Sequence, residues 1–122
     1  MRTQFDHIEV HVDDINRYCA FLTRLFEGGA YAVISTTGTS MYTAPDGLCI
    51  EVKKKKVSEP FVQSGFCNPC LRRPAAQQFI EALGLTVESV RATTAGPVFF
   101  FQDHEHILWH MKDQPASAKI VA

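Results

Sequence analysis

Residues 5–12 alternate in character. Phe5, His7, Glu9 and His11 fall on one face, and Ile8, Val10 and Val12 on the other. A period of two over eight residues predicts a strand with one apolar and one polar face. Asp13-Asp14 then offers a helix N-cap, with acidic charge at the positive end of the helix dipole. Ile15, Tyr18, Cys19, Leu22, Leu25 and Phe26 recur at three- and four-residue steps, which predicts an amphipathic helix ending at Gly28-Gly29. Strands are expected over 31–35, 40–43 and 48–53, with Pro45-Asp46-Gly47 as the turn before the last of them. Lys53-Lys54-Lys55-Lys56 and Ser58-Glu59-Pro60 read as a solvated connection, the lysines discouraging edge pairing.

The same order then returns. Residues 61–71 are strand-like but interrupted by Pro69. Pro74 suits the first turn of a helix carrying Phe79, Ile80 and Leu83 and ending at Gly84. Strands follow at 87–92, 97–102 and 107–112, with Asp103-His104-Glu105-His106 as a polar, solvated turn before the last. The tail after Asp113 reads as frayed. Two halves with one element order imply an internal duplication, with Phe21 answering to Phe79 and Glu51 to His110. The predicted modules are residues 1–57 and 58–122. Each is small for an independent core, so the modules are expected to bury apolar faces against each other or against a second chain.

Composition narrows the function classes. The chain has 122 residues, 46% of them hydrophobic and 20% charged, with a formal net charge of −1. That apolar fraction excludes a disordered chain. Near-neutral charge argues against a general nucleic-acid binder. No stretch approaches the roughly 18–20 apolar residues that span a bilayer. The opening residues lack the apolar core of a signal peptide, so a cytoplasmic protein is expected, with Cys19, Cys49, Cys67 and Cys70 as reduced thiols.

The run from His7 to Asp14, the helix over 15–26, the turn Pro45-Asp46-Gly47 before 48–52, and Phe101-Gln102-Asp103 before 107–111 resemble the vicinal oxygen chelate superfamily. That superfamily includes glyoxalase I, bleomycin-resistance proteins, extradiol dioxygenases and fosfomycin-resistance thiol transferases. The resemblance covers roughly residues 5–113. It implies an α+β fold of two tandem βαβββ modules forming a curved, cup-like mixed sheet with helices outside. It also implies a divalent metal (Fe, Mn, Zn or Ni) held by His7, Glu51 and His110. A constant offset places the fourth ligand slot at Gly65 or Phe66, neither of which ligates. Two imidazoles and one carboxylate leave coordination positions open for substrate.

Glu9 and His11 share the strand face of His7, close enough to orient it or to serve as a general base. Phe66, Phe99 and Phe101 are expected to wall the cup, and Arg72-Arg73 either attracts an anionic substrate or is simply exposed. Cys67-Asn68-Pro69-Cys70 is a CxxC without a second CxxC or a thioredoxin-like context, and reads as two thiols beside a bulge. The expected partner is a small oxygen-rich or aromatic molecule, and the expected assembly a homodimer. Two functions stand at this point: a metal-dependent lyase, dioxygenase or isomerase, or a metal-free protein that sequesters a ligand.

Overall fold

The opening alternation becomes β1, Ile8–Val12. It belongs to a computed structural model that describes residues 2–33, 38–56 and 69–114. Val10 and Val12 are buried, while Glu9 and His11 point to the other face. Asp14 caps α1, Ile15–Leu25, its side chain accepting from the Arg17 amide at 3.0 Å. The helix buries Tyr18, Cys19, Phe21, Leu22 and Leu25. Each such aliphatic or aromatic side chain removed from water contributes about 1.5–3 kcal/mol before entropy is counted.

Three more strands complete the first module: β2, Ala30–Val33; β3, Ser40–Thr43; and β4, Cys49–Lys54. The sheet order is β1-β4-β3-β2, with β1 parallel to β4 and the other pairs antiparallel. Tyr42, Ile50 and Val52 lie on the buried face, and the ring of Phe26, which caps α1, stands 5.8 Å from that of Tyr42. The helix therefore covers this face. Glu9, His11, Glu51 and Lys53 are left on the opposite one. Gly29 is required where the chain leaves α1. Its φ is +92°, and a Cβ there would meet the Thr43 carbonyl oxygen at 2.5 Å.

The second module repeats the plan: β5, Cys70–Arg73; α2, Ala76–Ala82; β6, Val87–Thr93; β7, Gly96–Gln102; and β8, Leu108–Asp113. Its order, β5-β8-β7-β6, has β5 parallel to β8, as β1 is to β4. The chain is thus α+β, with a βαβββ unit in each half, and the two units are each compact. The expected boundary at 57/58 lies outside the described residues, as does Cys67. Among the described residues no helix is long and apolar enough to cross a membrane.

Three expectations for this module change. Pro74 does not sit in the first turn of α2. It precedes a left-handed Ala75 (φ 52°), which starts the helix without a side-chain cap. The 103–106 turn is not simply solvated, because Asp103 and Glu105 are buried. Asp103 accepts from the amides of Glu105 (2.8 Å) and Ile107 (3.1 Å) and from Trp109 Nε1 (2.9 Å). Finally, Phe99 and Phe101 are core residues. They pair with Met111 and Trp109 across β7–β8, and all four are buried. Leu71 pairs with Met111, and Arg73, two residues on, lays its guanidinium 3.7 Å from the Phe79 ring of α2. This is therefore the helix-covered face. Phe100, facing the other way, is the aromatic that the sequence reading passed over.

Candidate functional site

The parallel β1–β4 ladder puts Glu9 opposite Glu51 and His11 opposite Lys53. All four side chains share the sheet face turned away from α1. His7 stands one residue ahead of β1. Its Nδ1–H donates to Asp6 Oδ2 at 2.6 Å, and its Nε2 lies 3.5 Å from Glu51 Oε1. The bond to Asp6, with the charges of Asp6 and Glu51, raises the His7 pKa above its ordinary value against some desolvation.

This is the arrangement a metal-binding histidine needs. A carboxylate fixes one ring nitrogen as the donor and leaves the other lone pair directed outward. Two ligand atoms each about 2.1 Å from one ion stand about 3.0–3.4 Å apart in octahedral or tetrahedral geometry. The 3.5 Å between His7 Nε2 and Glu51 Oε1 is close to that span. Asp6 is a partner of His7 that the sequence reading missed. An alternating strand would put it on the opposite face from His7, but β1 begins only at Ile8.

Lys53, on the same strand face as Glu51, pairs with the carboxylates of both Glu9 and Glu51. Its Nζ is 2.9 Å from Glu9 Oε1 and 3.7 Å from Glu51 Oε1. His11 Nε2–H donates to Glu9 Oε2 at 2.7 Å. The His11 bond first, then Lys53, lowers the Glu9 pKa to about 2, and Glu9 in turn raises that of Lys53. The result is a connected chain, His7–Glu51–Lys53–Glu9–His11, along one face of the first sheet.

His110 belongs to the second module. It occupies the place in β8 that Glu51 occupies in β4, between two buried neighbours and on the face turned from the helix. Its ring stacks on Phe100, with centroids 5.0 Å apart and planes 15° apart. The Pro69 carbonyl accepts from its amide at 2.9 Å. The registers of the two parallel ladders differ. Glu51 is opposite Glu9, but His110 is opposite Cys70. The expected fourth slot, Gly65 or Phe66, lies outside the described residues. The two modules differ in the length of chain between first and last strand. Among the described residues no three His, Cys, Asp or Glu side chains converge on one point.

No family model and no curated protein matches the sequence. Solved structures do match. The fosfomycin resistance protein FosX from Listeria monocytogenes is similar at a TM-score of 0.70 and 19% identity, over 93% of this chain and 95% of that one. The same protein has been crystallised with Mn(II) and sulfate. A glyoxylase/bleomycin resistance protein/dioxygenase domain from Frankia sp. EAN1pec matches at 0.70 and 14%, covering 97% of this chain and 96% of that one. An integron cassette protein from V. cholerae matches at 0.63 and 18%, covering 96% and 98%. At such identities the likeness establishes the fold.

Proposed function

Because the chain has the two-module fold of the vicinal oxygen chelate superfamily, we propose that it is a small glyoxalase/bleomycin-resistance/dioxygenase-like protein that binds a divalent metal and a compact oxygen-rich or aromatic molecule. The observation that carries this reading is His7, held by Asp6 through Nδ1 with Nε2 facing Glu51 Oε1. Mn(II) in the FosX crystals supports the choice of a divalent ion. His7 and Glu51 are the first-module ligands, and His110, the counterpart of Glu51, is the second-module one. A divalent ion at these residues supplies Lewis-acid stabilisation of developing negative charge on a substrate oxygen. The protein's own contribution is the hydrogen-bonded Glu9–His11 pair. Glu9 orients the imidazole, and the pair serves as the general base. This reading includes a homodimer, supported by the edge strand β2, which exposes Tyr31 and Val33.

The direct test is Mn(II) titration of dialysed protein, followed by water-proton relaxation. One ion per chain is expected, with affinity falling at least tenfold in His7→Ala and Glu51→Gln. Absence of stoichiometric binding would sink the metal reading. A metal-free, ligand-sequestering protein is the second reading, favoured by Lys53, whose ammonium already neutralises Glu51. It predicts stoichiometric ligand binding that neither chelator nor His7→Ala disturbs.

A further inference from the structure

The two modules treat one equivalent lysine in opposite ways. In the first, Lys53 lies between the carboxylates of Glu9 and Glu51. Its counterpart in β8, Lys112, has Arg72 as its partner in the parallel β5–β8 ladder. The same cross-strand row continues through Val98 to Arg91. Register partners share a face, and this row shares that of His110 and Phe100, turned away from α2. Among the described residues no carboxylate pairs with Arg72, Lys112 or Arg91.

Like charges placed directly opposite each other destabilise a sheet. A solvated lysine that protects an exposed edge is the ordinary explanation for such a charge. It does not apply to Lys112, because β8 is an interior strand of its sheet and the residue is half-buried. Two further features describe what could sit there. The row has an apolar floor: Val98 is buried between Lys112 and Arg91. The ring of Phe100 lies one residue pair along, 5.5 Å from the Arg91 guanidinium. The charges also act locally, since Lys112 and Arg72 both draw down the pKa of the Cys70 thiol against the burial that raises it.

We propose that this face of the second module binds a small organic anion, its carboxylate or phosphonate oxygens held by Arg72, Lys112 and Arg91 and its apolar body resting on Val98 and Phe100. Arginine supplies planar, paired donors to such oxyanions and lysine a point charge. The inference rests on the reading of the chain as a small-molecule-binding protein, and it narrows the substrate to an acid. It does not depend on the metal.

The test is a nitrogen-15 NMR titration of the full chain, stripped of metal with EDTA and then desalted, so that failure of the metal reading leaves the result interpretable. The probes are phenylphosphonate, benzoate, inorganic phosphate and an eight-residue oligothymidylate. Phenylphosphonate or benzoate should shift the amides of β5, β6 and β8 saturably, and bind at least threefold more tightly than phosphate. Arg72→Met with Lys112→Met should weaken binding at least tenfold, and Arg91→Met alone at least threefold. Lys54→Met removes a first-module charge and should change affinity less than twofold. Circular dichroism confirms that each variant is folded, and Arg91→Met serves if the double variant is not. Non-saturable shifts, equal weakening in Lys54→Met, phosphate binding as tightly as phenylphosphonate, or tighter binding of the oligonucleotide each overturn the proposal.

Discussion

Glu9 lies directly opposite Glu51 across the parallel β1–β4 ladder, and the ammonium of Lys53 spans the two carboxylates. Facing like charges are tolerated in this sheet because a cation stands between them. Removing it with Lys53→Met exposes their repulsion. The pairs are part-exposed and screened by solvent, so the cost in stability is small and is read by urea denaturation at low salt. Under the proposed function the same variant binds Mn(II) several-fold more tightly, because Glu51 no longer shares its charge with an ammonium. Tighter metal binding together with lower stability is the expected signature, and unchanged metal affinity would separate Lys53 from the site.

Asp6 offers a test that leaves both proposed first-module ligands in place. The carboxylate holds His7 Nδ1–H at 2.6 Å. Groups in this supporting position typically govern about 10–100-fold in metal affinity. Asp6→Asn should therefore weaken Mn(II) binding by about tenfold with little effect on stability, since Asp6 is exposed. It should also lower the His7 pKa, which proton NMR of the imidazole reads directly. A variant with unchanged affinity but a lowered His7 pKa would make the Asp6 bond a surface interaction.

Much of the fold was legible because amphipathic periods are strong over short, well-bounded segments. Strand β3 matches its expected span at 40–43, and α1 falls within one residue of expectation. Two of the misreadings share a cause, which is contact between residues distant along the strand pattern. Phe99-Phe100-Phe101 carries no alternation, so its facing cannot be read locally. The register with Trp109, His110 and Met111 sets it. Asp103 reads as a turn residue by type, and only the indole six residues further on explains its burial. At the site, the shared face of Glu9 and His11, and that of Glu51 and Lys53, was legible by strand parity. The Asp6–His7 contact was not, because it depends on where β1 starts.

Alkaline stability should report the core of the first module. Tyr42 is fully buried, and its hydroxyl donates to the Gly28 carbonyl at 2.7 Å. Burial, with smaller effects from Asp46 and Cys19, raises its pKa to about 12, and burial raises that of the Cys19 thiol to about 11. Both folded values exceed the ordinary ones, so the fold favours the neutral forms. Their contribution is complete below about pH 9 and is lost as pH rises through 11 and 12. Tyr42→Phe should cost about 1 kcal/mol at pH 7 by leaving the Gly28 carbonyl without this donor. It should also flatten the fall in stability between pH 10 and 12. An alkaline limb as steep as in the parent would locate the titration elsewhere.

The β7–β8 hairpin should be the most sensitive point of the second module. Asp103 Oδ1 accepts two amides, and Oδ2 accepts Trp109 Nε1–H. Buried donors deprived of an acceptor each cost about 1–3 kcal/mol. Asp103→Ala removes this acceptor from two buried donors and one part-buried one, so a loss of about 3 kcal/mol is expected. Asp103→Asn retains one oxygen. If that oxygen serves the two amides, its NH2 group confronts the indole N–H, donor against donor, for about 2 kcal/mol. Trp109→Phe removes the indole donor and leaves Asp103 Oδ2 without its partner, so its cost should fall below that of Asp103→Ala. Trp109 is the only tryptophan in the chain, so its fluorescence follows the hairpin directly. A shift of emission to the red in Asp103→Asn at native stability would mean that the hairpin opens locally without weakening the rest of the sheet. Loss of stability with unaltered native emission is the result that the buried carboxylate predicts, because the indole stays buried opposite Phe101 in the folded state.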